Sequence, residues 1–236
     1  MMITCKALAG LLLYPDQALM EALPDIRYIL NDSPLPVTQR DQVIAFCDHL
    51  AATDPIQAQG NYVSLFDGGS RSLSLYLFGH VHGDSRDRGQ AMANLVEDYR
   101  AVGLELSGDE LPDFLPVFLE YVSCHAPSDA AVLLGEIVEI VALLASRLEK
   151  RETPYAAVLR AIEALGSRPA DAEVVASRLA EGEQEDTPEA LDARYEEAPV
   201  SFMEPVAADS ACSNAAALVA QFERDVQVSP IRLIER

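Results

Sequence analysis

Apolar residues recur at intervals of three and four along most of this chain. The clearest run follows Ser128, where Leu133, Leu134, Ile137, Ile140, Val141, Leu144 and Leu148 form one wide stripe. A period near 3.6 puts such residues on one side of a helix, and a stripe that wide has to be buried against other helices. Period-two alternation is readable only over Arg71–Phe78, through Leu73, Leu75 and Leu77. A lone strand has nothing to pair with, so this stretch is read as an extended or short helical connection. The expected class is all-α: an irregular single-domain helical bundle.

Capping residues and prolines divide the chain. Thr4 opens a first short helix that Pro15 ends, and Asp16 starts a second one, kinked at Pro24. Thr38 caps a third. Asp54, with Pro55 in the first helical position, opens a fourth, in which Tyr62, Leu65 and Phe66 share a face. Asp84 or Ser85 caps a helix that Gly103 terminates. Leu111–Cys124 is read as the next helix, Ser128 as the cap of the longest one, and Thr153-Pro154 as the start of a helix ending at Gly166.

Composition changes near Gly182. Residues 181–210 carry ten acidic side chains against one basic, Arg194, together with Pro188, Pro199 and Pro205. Such a segment is too charged to build a core. The chain is therefore divided into a helical domain, 1–180, and an acidic, mobile C-terminal extension, 181–236.

With 38 acidic and 17 basic residues the formal net charge is −21, which disfavours nucleic acid and anionic lipid and favours basic partners. The apolar run Ala7–Tyr14 imitates a secretion signal but is followed by Pro15-Asp16 and no cleavage pattern. The run Ala130–Ser146 is broken by Glu136 and Glu139, so no stable membrane insertion is expected. Cys5, Cys47, Cys124 and Cys212 are too scattered for zinc or a disulfide framework, which points to free thiols in a reducing cytoplasm.

One short pattern suggests catalysis. Gly79-His80-Val81-His82 matches the G-H-x-H element of metal-dependent phosphoesterases, whose imidazoles hold metal ions that activate water. That chemistry needs further His, Asn and carboxylate ligands from other loops. The chain has four histidines, no D-x-H and no N-H-D or N-H-E. Nor is there a G-x-S-x-G, a third group orienting Cys124 and His125, or a lysine after Gly68-Gly69. A binding protein without catalysis, metal or cofactor is the favoured reading; the phosphoesterase and a generic acidic adaptor are the alternatives. In that reading Asp84 caps a helix, Arg86 and Arg88 pair with carboxylates, and the corner offers polar groups to a visiting chain.

Four stretches occur in order: NYVSLFD (Asn61–Asp67), HGDSRDRGQAM (His82–Met92), YRAVGLEL (Tyr99–Leu106) and DELPDFLPVFLEY (Asp109–Tyr121). Together they resemble the nitrate reductase delta-subunit family, the NarJ-type molybdenum-cofactor assembly chaperones. LDARYEEAPVSF (Leu191–Phe202) is similar to that family's D-x-x-W-x-E-E-P-V-x-F element, with Tyr195 in place of Trp and Ala198 as a departure before Pro199. The resemblance implies an all-α, cytoplasmic, non-catalytic protein. Its client would be the immature catalytic (alpha) subunit of respiratory nitrate reductase, including the N-terminal leader-like segment, held competent for insertion of the bis-molybdopterin guanine dinucleotide cofactor. Cofactor-delivery proteins are further candidate partners. On the matching positions, client binding is expected of Tyr62, Phe66, Asp67, His82, Asp84, Arg86, Arg88, Glu110, Pro112, Asp113 and Glu120, while Leu115, Phe118 and Leu119 belong to the core.

Overall fold

Residues 2–67, 71–81, 87–106 and 110–185 are described by the computed structural model. They contain eleven α-helices and no β-strand: α1 (Met2–Leu11), α2 (Gln17–Asn31), α3 (Val37–Ala52), α4 (Pro55–Tyr62), α5 (Leu77–Val81), α6 (Asp87–Ala101), α7 (Leu115–Val122), α8 (Pro127–Glu136), α9 (Val138–Lys150), α10 (Ala156–Leu165) and α11 (Ala172–Glu185). The fold is all-α. Of the acidic extension only residues 181–185 are described, as the last turns of α11, so that helix runs across the 180/181 boundary. The rest of the extension, with Leu191–Phe202 and Cys212, lies outside the described residues, as do His82, Asp84, Ser85 and Arg86.

The apolar N-terminal run is core. Cys5, Leu8, Leu11 and Leu12 are fully buried, and α1 packs on α2, α7 and α10. Thr4, expected as a cap, is buried inside α1, whose helix begins at Met2. Asp16 does cap α2, accepting from the Leu19 N–H at 2.9 Å, and Asp54 caps α4, accepting from Ile56 and Gln57. Pro24 sits within α2. Thr38 does not cap α3; Pro36 holds that position without a side-chain bond, because the extended backbone of Pro36 already supplies the entry. Gly103 ends α6 as expected. Its φ is +81°, and the Gly103 and Leu104 amides turn back to the Arg100 and Tyr99 carbonyls.

Two further helices differ from expectation. Leu111–Phe114 is not helical, and α7 starts only at Leu115, because the LPDFLP stretch is pulled into bonds with the 75–78 segment. The long helix expected from Ser128 is two: α8 begins after Ala126, with Pro127 in its first turn, and the chain breaks at Ile137 before α9. Packing accounts for a close approach there. The Ser167 amide donates to the Ala131 carbonyl, and a Cβ on Gly135 would lie 2.6 Å from the Ser167 hydroxyl.

α9 and α10 form the tightest pair, clamped by charge as well as apolar contact. Arg160 forks onto both oxygens of Glu149 at 2.7 Å and reaches Glu163 at 2.6 Å. The hydrogen bonds from Arg160 hold the Glu149 carboxyl below its ordinary value.

Candidate functional site

The alternating stretch after Arg71 finds a partner that pattern reading could not supply. A 3₁₀ turn, Arg71–Leu73, leads to a single antiparallel bridge between Tyr76 and Phe114. The Leu77 amide donates to the Asp113 carbonyl at 2.9 Å, and the Leu115 amide to the Leu75 carbonyl at 2.8 Å. The two segments are short, so they bond as a corner and not as a sheet.

Asp113 is the pin of this corner. Its carboxylate is wholly buried, accepts from the Phe78 amide at 3.0 Å, and lies 3.7 Å from Arg88 of α6. Among the described residues Asp113 Oδ1 and Arg88 Nε have no hydrogen-bond partner, so this pair is incompletely satisfied. Tyr99, also from α6, donates to the Pro112 carbonyl at 2.6 Å, and Tyr76 donates to Glu110 at 2.7 Å while stacking 5.2 Å from Phe114. Burial, the Glu110 bond and the nearby charges push the Tyr76 phenol up to about 12.

The outer side of the corner is a hollow of about 140 Å³ whose walls include Leu104, Leu106 and Val117, with Glu105, Glu110 and Glu120 around them. It shares Val117 and Glu120 with a second hollow of about 230 Å³ between α1 and α7, floored by Ala9, Gly10, Leu13 and Pro116. Leu13, Leu106 and Leu111 are exposed beside it. The two hollows adjoin as an apolar groove flanked, among the described residues, by three carboxylates and one cation, Lys6, 3.9 Å from Glu120.

Four of the sequence-predicted residues therefore meet at one corner: Arg88, Glu110, Pro112 and Asp113. Glu120 stands at the groove beyond it. Tyr62 and Phe66 lie in a different cluster, ring to ring at 5.0 Å and each packed against Tyr155. The buried Tyr62 hydroxyl donates to the Leu12 carbonyl at 2.9 Å, and Asp67 is exposed at the end of a π-helical turn, Val63–Asp67. Another pair of hollows, about 260 and 430 Å³, adjoins that cluster and shares Phe46, His49, Thr153 and Pro154. It is larger, but its lining balances two carboxylates, Glu149 and Glu152, against two guanidiniums, Arg151 and Arg160. Tyr76, Tyr99 and Glu105 were missed as site residues although Tyr99 and Glu105 stand in a recognised stretch; an aromatic hydroxyl in a polar-flanked loop was the available signal.

His80 does not face outward. Its Nε2 donates to the Ser74 carbonyl at 2.8 Å, which leaves only Nδ1 for any other ligand. No group of three metal-binding side chains occurs among the described residues. Burial, assisted by Arg147 and Arg178 and opposed by the Ser74 bond and Asp113, holds the ring below its ordinary value of 6.5. The unfolded chain thus takes up a proton first as pH falls. The stability held by the neutral ring is complete above about 6.5 and is lost as pH drops from there through the folded value. Glu139 and Glu149, held low by their arginines, lose their contributions only below the ordinary carboxylate value of 4.5, so the two windows separate. Thermal melts between about pH 7.5 and 5 should show a steeper acid loss for the native chain than for His80→Gln; equal slopes would remove His80 as the cause.

The profile of the nitrate reductase delta subunit family matches residues 34–161, which contain the whole corner. The chain belongs to the nitrate reductase delta subunit family. Its similarity to curated members extends well beyond that region. It is 41% identical over 216 residues to the nitrate reductase molybdenum cofactor assembly chaperone NarJ of Escherichia coli K12, covering 91% of this chain and 89% of that protein. It is 38% identical over 200 residues to the probable assembly chaperone NarW of the same strain, covering 84% and 83%. The probable NarJ of Bacillus subtilis 168 is 31% identical over 170 residues, 70% of this chain and 91% of that protein. Among the described residues, no helix is long and apolar enough to cross a membrane.

Proposed function

We propose that this chain is a cytoplasmic, non-catalytic assembly chaperone for a respiratory nitrate reductase. It binds the immature alpha subunit, including its N-terminal segment, and keeps it competent for molybdenum cofactor insertion. The relatives carry the class, since they are named as cofactor assembly chaperones of nitrate reductase. The observation that carries the binding mode is the carboxylate-flanked apolar groove beside the corner. Such a surface complements a basic segment with apolar anchors, steering it by charge and seating it by burial. A chaperone shifts maturation only by preferring the immature client, and release follows when that preference ends.

In this reading Glu110 and Glu120 contact the client, with Phe66, Asp67, His82, Asp84 and Arg86 as further contacts. Tyr62, Arg88, Pro112 and Asp113 act by holding the segments in place. The helical domain, 1–180, carries the client surface, and the acidic extension, 181–236, adds to capture. Cofactor-delivery proteins dock on the client complex. Deleting the gene and measuring molybdenum in the reductase tests the function: a large fall is expected, and unchanged loading overturns it. Copurification of the immature alpha subunit separates this reading from a generic adaptor. Truncation after Glu185 should leave cooperative unfolding intact while weakening client association; a broad loss of cooperativity would place the extension in the fold instead.

A further inference from the structure

α9 buries a side chain away from the main core. Leu143 is 2% exposed yet lies outside the main core cluster. Glu139, Leu143 and Arg147 follow at helical spacing and form one stripe. Arg168, just before α11, forks onto Glu139, and Arg147 Nη2 donates to the Arg178 carbonyl at 3.3 Å. Since residues 168 and 178 meet 139 and 147 in the same order, α11 runs parallel to α9 along that stripe.

α11 itself is weakly anchored. None of Ala172–Ala180 is buried, and Val174 is 40% exposed. Its ties are polar and extend to a third element: Arg178 donates to the His80 carbonyl at 2.9 Å, and Arg147 to the Ser72 carbonyl at 2.7 Å. The chain between α10 and α11, Gly166–Asp171, is non-helical and contains Pro169. A helix whose described side chains are at most half-buried opens at lower free energy than the core it covers.

We propose that α11 is a releasable strap: it opens as a unit while α1–α10 stay folded, uncovering Leu143 and freeing segment 71–81 from Arg178. The strap thereby couples the start of the acidic extension to the corner. This concerns folding alone and does not depend on the chaperone reading.

Thiol labelling of the full chain tests it, with Cys124→Ser and Cys212→Ser removing other thiols and Leu143→Cys placing one beneath the strap. Cys5 and Cys47, buried and pushed up to about 11 by that burial, report opening of the core. A maleimide should label the introduced thiol about tenfold or more faster than Cys5 and Cys47. Arg178→Ala should raise that rate about tenfold again, the expected effect of losing a charge-assisted bond, and leave the core cysteines unchanged. Hydrogen exchange on the chain without engineered cysteines gives an independent reading: residues 172–185 should exchange faster than α9 and α10, and Arg178→Ala should also accelerate 71–81. Labelling of the introduced thiol at the core rate, α11 amides as protected as those of α9, or an unmoved 71–81 segment would each overturn the proposal.

Discussion

Asp113→Ala is expected to lower folding stability by about 3 kcal/mol. The side chain is fully buried, holds the Phe78 amide at 3.0 Å and stands 3.7 Å from Arg88. Removing it leaves an amide without its acceptor and a half-buried guanidinium without its countercharge, and water reaches neither easily. Asp113→Asn keeps an acceptor and loses only the charge, so its effect should be smaller, about 1–2 kcal/mol. Denaturant unfolding measures both. Client affinity, corrected for the folded fraction, should change little in either variant, because Asp113 positions the corner from within. A stability change under about 1 kcal/mol for Asp113→Ala would show that the incompletely satisfied pair contributes no more than a surface contact.

The second large effect is on binding. Reversing Glu105 and Glu120 together to Lys should weaken binding of the client's N-terminal peptide by on the order of 10- to 100-fold at low salt. Both side chains are exposed at the groove, and the only cation lining it among the described residues is Lys6. The difference should shrink at high salt, as screening removes the steering. Stability should move by less than about 1 kcal/mol, since exposed pairs such as Lys6–Glu120 contribute little. Titration calorimetry at two ionic strengths separates the two contributions. Unchanged affinity in a folded double variant would mean that the client uses another surface.

Much of the helical order was legible because helix formation is local. Asp16 and Asp54 cap where their side chains reach the next free amides, and Gly103 stops α6 where a left-handed residue is needed. Leu115, Phe118 and Leu119 follow a periodicity that must face apolar surroundings, and all three are buried. The family stretches around Asn61–Tyr121 were likewise readable as ordered residue strings, and the family match covers them.

What could not be read depends on partners distant along the chain. The break at Ile137 has no proline or capping signal; it occurs where Gly135 comes against Ser167. Leu111–Phe114 reads as helical by sequence, yet its Asp113 and the adjoining Leu115 bond to Leu77 and Leu75 some forty residues earlier. Local pattern could show that Glu110, Pro112 and Asp113 belong together. Only tertiary structure distinguished the buried pin from the exposed carboxylate, because burial depends on what Tyr76, Arg88 and Tyr99 bring to the same corner. By itself the sequence determined an acidic all-helical chain, the caps at Asp16 and Asp54, and its family. The groove, the corner and the strap over α9 were decided by long-range packing, where a side chain's environment is set by residues that sequence proximity does not reveal.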